Sequence, residues 1–121
     1  MARAIINTIM AKVRNDASQA VSNTTLFKAI DAANGAEVSW RESDEKYTIV
    51  LQNSGSSAGV AVIKAGNGIH GVNDLEVDVP ASSTVCLSID SARFKMLSGE
   101  DKGKVILTGP ATIGVAVFCT P

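Results

Sequence analysis

The sequence predicts an all-β chain, a single antiparallel β-sandwich preceded by an N-terminal arm or short helix. Three observations carry that prediction. Short apolar runs rich in Val and Ile recur from Thr24 to the C-terminus at roughly 8–12-residue spacing, separated by Gly, Asn, Ser and Pro clusters. No helical periodicity alternates with them, which argues against a parallel α/β sheet. The 121 residues are 45% hydrophobic but only 4% aromatic, so the core must be built from Val, Ile, Leu and Ala. One domain of this length buries a real core. About eight short strands suit a jelly-roll or an immunoglobulin-like sandwich.

Residues 1–23 form the first unit. Ile5, Ile6, Ile9, Met10 and Val13 recur at helical spacing, with Arg3, Lys12 and Arg14 off that stripe. Thr and Asn interrupt the pattern, so an extended arm fits as well. The polar stretch from Asn15 to Asn23 has linker composition. Such a segment either packs on its own domain or docks on a neighbouring subunit. The apolar part is broken by Asn7 and Thr8 and followed by Lys12, Arg14 and Asp16, so it lacks the core of a signal peptide. The expectation is a protein made and kept in the cytoplasm until use.

Residues 24–121 form the sandwich. Leu26–Ile30 makes a short strand that ends at the turn Asp31–Gly35, and Glu37–Trp40 alternates polar and apolar. The stretch from Lys46 to Asp74 organises the chain. Its runs Tyr47–Leu51 and Val60–Ile63 flank a Ser/Gly-rich segment, which predicts a β-hairpin with a mobile tip. Leu75–Pro80 alternates apolar and acidic, as a strand with one wet face does. Val85, Leu87 and Ile89 repeat the pattern, Phe94 and Met96 more briefly. Lys104–Leu107 and Thr112–Cys119 complete the set.

Net charge is −1, with 11 basic and 12 acidic residues scattered along the chain. That pattern lacks the electrostatic footprint of a nucleic-acid binder and the polybasic run of a membrane-surface protein. Cys86 and Cys119 both fall in predicted strands and read as free buried thiols. With one histidine they do not make a structural zinc site.

Gly66-Asn67-Gly68-Ile69-His70-Gly71 matches G-x-G-x-x-G, and Asp90 lies about twenty residues on. The fingerprint works only when its last glycine opens a helix whose N-terminus holds a pyrophosphate. Here the chain enters an alternating strand instead. His70 lacks a histidine partner, and no G-x-S-x-G elbow surrounds any serine. The carboxylate pairs Glu42/Asp44, Glu76/Asp78 and Glu100/Asp101 sit where turns or solvated faces are expected. Asn67, Asn73 and Asp74 fall short of a calcium loop. Trp40 and Tyr47 are too few for a glycan or single-strand platform, and Trp40 reads as a core-edge residue. No enzyme, cofactor or metal is expected from this inventory.

Several segments resemble small β-sandwich proteins of the head decoration (auxiliary capsid) type in tailed bacteriophages. They are Asp31–Gly35, Asp44-Glu45-Lys46 before a strand ending in Gln52-Asn53, Ile63–Gly68, Asp74–Val77, Ser91–Lys95, Lys102–Val105 and the apolar strand Ile113–Phe118. The resemblance covers about three quarters of the chain and leaves out residues 1–23. It implies a non-enzymatic virion structural protein, assembled in the host cytoplasm, that binds the outside of the major capsid protein shell and stabilises it. Neighbouring copies of itself would be further partners, with neither nucleic acid nor membrane involved. On that reading Ile5, Ile6, Ile9, Met10 and Val13 are the docking candidates. The alternative is a tail or fibre module that attaches to a host-surface glycan, for which exposed Trp40 or Tyr47 would be needed.

Overall fold

The computed structural model describes residues 2–10, 20–41 and 43–120. Within them ten strands build two mixed sheets that pack face to face as a β-sandwich. The strands are β1 (Ala4–Ile6), β2 (Ile9–Met10), β3 (Lys28–Ala29), β4 (Ala36–Ser39), β5 (Tyr47–Asn53), β6 (Gly59–Ile63), β7 (Leu75–Val79), β8 (Thr84–Leu87), β9 (Lys104–Thr108) and β10 (Ile113–Cys119). A 3-10 turn (Asp44–Lys46) precedes β5, and one helical turn, α1 (Ser91–Phe94), follows β8.

The first sheet runs β1-β4-β9-β6-β7 and the second β2-β10-β5-β8. β5 pairs with β10 over its whole length, from Tyr47↔Cys119 to Asn53↔Ile113. β2 and β3 share the other side of β10, end to end. Burial alternates along β5 as period-two pleating demands: Tyr47, Ile49, Leu51 and Asn53 point inward. They meet Ile113, Val115 and Val117 of β10 and Val38, Ala61, Ile63, Val105 and Leu107 of the opposite sheet. Trp40 and Tyr47 stack at 4.0 Å between ring centroids and close one end of the core. So few aromatics suffice because β-branched side chains interdigitate closely on pleated surfaces.

The hairpin expected between Tyr47–Leu51 and Val60–Ile63 does not form. β5 lies in one sheet and β6 in the other, and residues 54–58 carry the chain across. The crossing is fixed by Asn53, whose side chain is 1% exposed. Its amide donates to the carbonyls of Ser57 (2.9 Å) and Val79 (3.1 Å), and its oxygen accepts from the N–H of Gly55 (2.9 Å). Turn-forming residues specify a reversal but not the sheet that receives the next strand.

The strand expected at Phe94 and Met96 is replaced by α1. Asp90 caps that turn by accepting the Ala92 N–H at 2.9 Å, and Phe94 is buried against the core. The helical option for the N-terminus fails for a related reason. Ala4–Ile6 and Ile9–Met10 are extended and pair in parallel with β4 and β10, which makes both sheets mixed. Adjacent residues of a strand face opposite ways, so Ile6 enters the core and Ile5 faces solvent. Val13 lies outside the described residues.

Cys86 is exposed on β8 rather than buried, whereas Cys119 is buried, and both are free. No helix among the described residues is long and apolar enough to cross a membrane.

Candidate docking surface

The N-terminal segment forms a ridge along one lateral edge of the sandwich. Asn7 and Thr8 carry it from the edge of the first sheet to the edge of the second. Its start is held by charge: Arg3 forks onto Asp101 at 2.9 and 3.2 Å and approaches Glu37 at 3.7 Å, and Lys104 binds Glu37 at 2.7 Å. The paired guanidinium holds the Asp101 carboxyl below its ordinary range. The Ala4 N–H donates to the Gly35 carbonyl at 3.0 Å, so the segment enters β1 already in register.

Among the docking candidates, Ile5 (61% exposed) and Met10 (50%) present large apolar side chains to solvent. Ile9 is half-buried, and Ile6, 4% exposed, belongs to the core and is unavailable to a partner. Two shallow clefts flank the ridge and share Ile5, Ile6, Asn7 and Thr8 as a common wall. One, of about 310 Å³, runs on to Met10, Ser39, Arg41 and Tyr47. The other, of about 510 Å³, is walled on its far side by residues 24–28 and Val115.

The sequence motifs with chemical potential resolve into structure. In the G-x-G-x-x-G stretch, a side chain at Gly66 would collide with the Lys95 carbonyl, and one at Gly71 with the Gly66 carbonyl. These glycines permit close backbone approach inside a folded loop, and the chain then enters β7, so no helix N-terminus stands ready for a phosphate. His70 is exposed in that loop. Among the described residues no group of three or more His, Cys, Asp or Glu side chains is placed to hold a metal ion.

Trp40 and Tyr47 are buried, which leaves the glycan-platform reading without its aromatic surface. The Trp40 indole instead donates to Asp44 at 3.0 Å, and the Tyr47 hydroxyl accepts the Arg41 N–H at 3.0 Å. Asp44 also accepts the backbone N–H and the hydroxyl of Ser91, at 3.1 and 3.2 Å. Burial opposes its ionisation, but those hydrogen bonds and the charge of Lys95 outweigh it. Its carboxyl is held below the ordinary value.

One surface feature escaped the sequence reading. Ile69 (93% exposed), Val72 (76%) and Leu97 (51%) stand out on the β6–β7 and α1–β9 connections. Two bulky apolar residues inside a Gly-rich, otherwise polar loop were the available signal.

No family model matches the chain, and neither does any curated protein or solved structure.

Proposed function

We propose that this protein is a non-enzymatic virion component that decorates a bacteriophage head, binding the outer surface of the major capsid protein shell and stabilising it. The resemblance of residues 27–121 to head decoration proteins supplies the class. The observation that carries the docking surface is the N-terminal ridge, on which Ile5, in the wall shared by two shallow clefts, and Met10, beside the smaller of them, are exposed. A ridge built from paired backbone is already ordered, so little conformational entropy is lost when its apolar side chains are covered. Each copy needs only modest affinity, because a shell offers many equivalent sites and adjoining copies reinforce one another.

The test is co-sedimentation with undecorated heads of the virus that encodes the chain, counting bound copies per shell. Saturation at a number matching the capsid lattice is expected. Removing residues 1–13 would delete Ile6 from the core as well, so the docking surface is tested with Ile5→Asp and Met10→Asp. Both variants should stay folded and lose binding. Full binding by the pair would move docking elsewhere, and no binding by the parent protein would sink the decoration reading.

A further inference from the structure

We infer that β8 is a strand-pairing edge whose occupant is β8 of a second copy, joined antiparallel about a two-fold axis at Cys86. β8 ends the second sheet opposite β2, and among the described residues no strand lies beyond it. The direction of its peptide groups follows from its pairing with β5. The Asn53 N–H donates to the Ser83 carbonyl at 2.9 Å, and in the same register Leu51 faces Val85 and Ile49 faces Leu87. Antiparallel pairs alternate between bonded and non-bonded. Ser83, Val85 and Leu87 therefore turn their peptide groups to β5, and Thr84, Cys86 and Ser88 turn theirs outward. The other side of β5 has the complementary phase: the Ser54 N–H donates to the Thr112 carbonyl at 3.0 Å, so even-numbered residues of β5 bond toward β10. Edges that stay single carry charge or proline. β7, the end strand of the first sheet, has Glu76, Asp78 and Pro80. From Ala81 to Ile89 there is neither. Thr84, Cys86 and Ser88 are exposed, so this uncharged edge is open to a further strand.

The residues of the edge point to the strand that fits it. Thr84-Val85-Cys86-Leu87-Ser88 has the same chemistry read from either end: hydroxyl, aliphatic, thiol, aliphatic, hydroxyl. Turned antiparallel on itself about Cys86, the run sets Thr84 opposite Ser88 and Val85 opposite Leu87, on both sides of the axis. Val85 and Leu87 are half-buried against the core, so their pairing extends the apolar layer into the second copy. Thr84 and Ser88 pair on the solvent face, where hydroxyls bond each other. About six backbone hydrogen bonds form, two at each outward-facing pair. A shift of two residues either way spoils the match. One shift sets Leu87 against Ser83, and the other sets Thr84 against Asp90, whose side chain caps α1. The contact is isologous, one patch serving both copies. So short a strand pair covers less than the ~800 Å² per partner of a stable complex, and the dimer is weak. The N-terminal ridge lies at the other end of the sheet and stays free, so the pairing does not rest on capsid docking.

Sedimentation equilibrium under reductant, up to about 1 mM protein, measures the association, because even a millimolar dimer is populated there. A monomer–dimer equilibrium is expected in the parent and in Cys86→Ser. Cys86→Lys sets two like charges opposite one another at the axis and should weaken the dimer at least about tenfold. Urea unfolding verifies that each variant is folded. The register is read by disulfide trapping with oxidised glutathione, in the Cys86→Ser background. Thr84→Cys mixed with Ser88→Cys should give mixed cross-linked dimers in excess of either homodimer. Opposed residues of a bonded pair stand ~5.5 Å apart at Cα, within disulfide reach. A parent that is monomeric at about 1 mM would overturn the inference and leave the edge to a strand of another protein. A Cys86→Lys dimer as strong as the parent's would overturn it too, as would homodimer cross-links equal to the mixed ones. No shell enters these measurements, so their failure and the failure of capsid docking are separate outcomes.

Discussion

Replacing Asn53 with Ala should cost this fold more than any other single polar-to-Ala change among the described residues. Asn53 is the only buried polar residue among them, and both its amide hydrogens and its oxygen are engaged. Truncation strands three backbone groups. The Val79 carbonyl is buried and loses its side-chain partner outright, whereas the Ser57 carbonyl and Gly55 N–H are partly exposed and recover water. A buried group left unsatisfied costs about 1–3 kcal/mol. One full loss and two partial ones come to about 3 kcal/mol. With a urea dependence of about 1.5 kcal/mol per molar, the unfolding midpoint falls by about 2 M. The exposed neighbour Gln52→Ala serves as control and should stay within about 0.5 kcal/mol of the parent. Asn53→Asp should do no better than Ala at neutral pH, because a carboxylate would face two carbonyl oxygens. A loss below about 1 kcal/mol for Asn53→Ala, with unchanged denaturant slope, would refute the claim that this side chain fixes the crossing between sheets.

Asp44 has a folded-state pKa below its ordinary 3.8, so its contribution is complete above that value and is lost as pH falls through the folded value. Asp44→Asn should therefore flatten the decline of stability between about pH 4 and pH 2 in urea titrations; a slope equal to the parent's would remove this assignment. The slope will not vanish, since Asp31, Asp74 and Asp101 are lowered too, chiefly by hydrogen bonds from Asn34, Lys64 and Arg3. One thiol, Cys86, should react with a maleimide in the native protein and both in denaturant, as mass spectrometry would count; native labelling of Cys119 would contradict its burial. Gly71→Ala should distort the loop carrying Ile69 and Val72 while Gly99→Ala, with open space around it but a positive φ of 85°, costs only backbone strain. Amide shifts spread through residues 64–74 in the first variant, and confined to residues near 99 in the second, are the expected spectra.

The period-two signal was strong in β5 and β7, because alternation records a single buried face; β10, apolar along its length and buried at Ala116 as well, read as a strand from its apolar run alone. What stayed hidden depends on partners distant in sequence. Tyr47–Leu51 and Val60–Ile63 read as hairpin arms because local turn chemistry says only that the chain reverses; pairing of Leu51 with Val85 and Val115 is a long-range choice. At Asp90-Ser91 the capping carboxylate outweighed a short apolar alternation, which two residues could not establish against it.

The docking candidates show the same limit at a finer scale. Ile5, Ile6, Ile9 and Met10 satisfy a helical stripe in sequence, but β4 and β10 offer them free edges, and pairing there decides the conformation. Once the segment is extended, neighbours separate: Ile6 is buried in the core and Ile5 is left facing solvent. Both pairings are parallel, which a long connection permits and a two-residue turn does not. A sequence stripe thus picked out an apolar segment without identifying which of its residues face outward. That division matters for any docking experiment, because Ile6→Asp would abolish binding by unfolding the sandwich, whereas Ile5→Asp tests the surface alone.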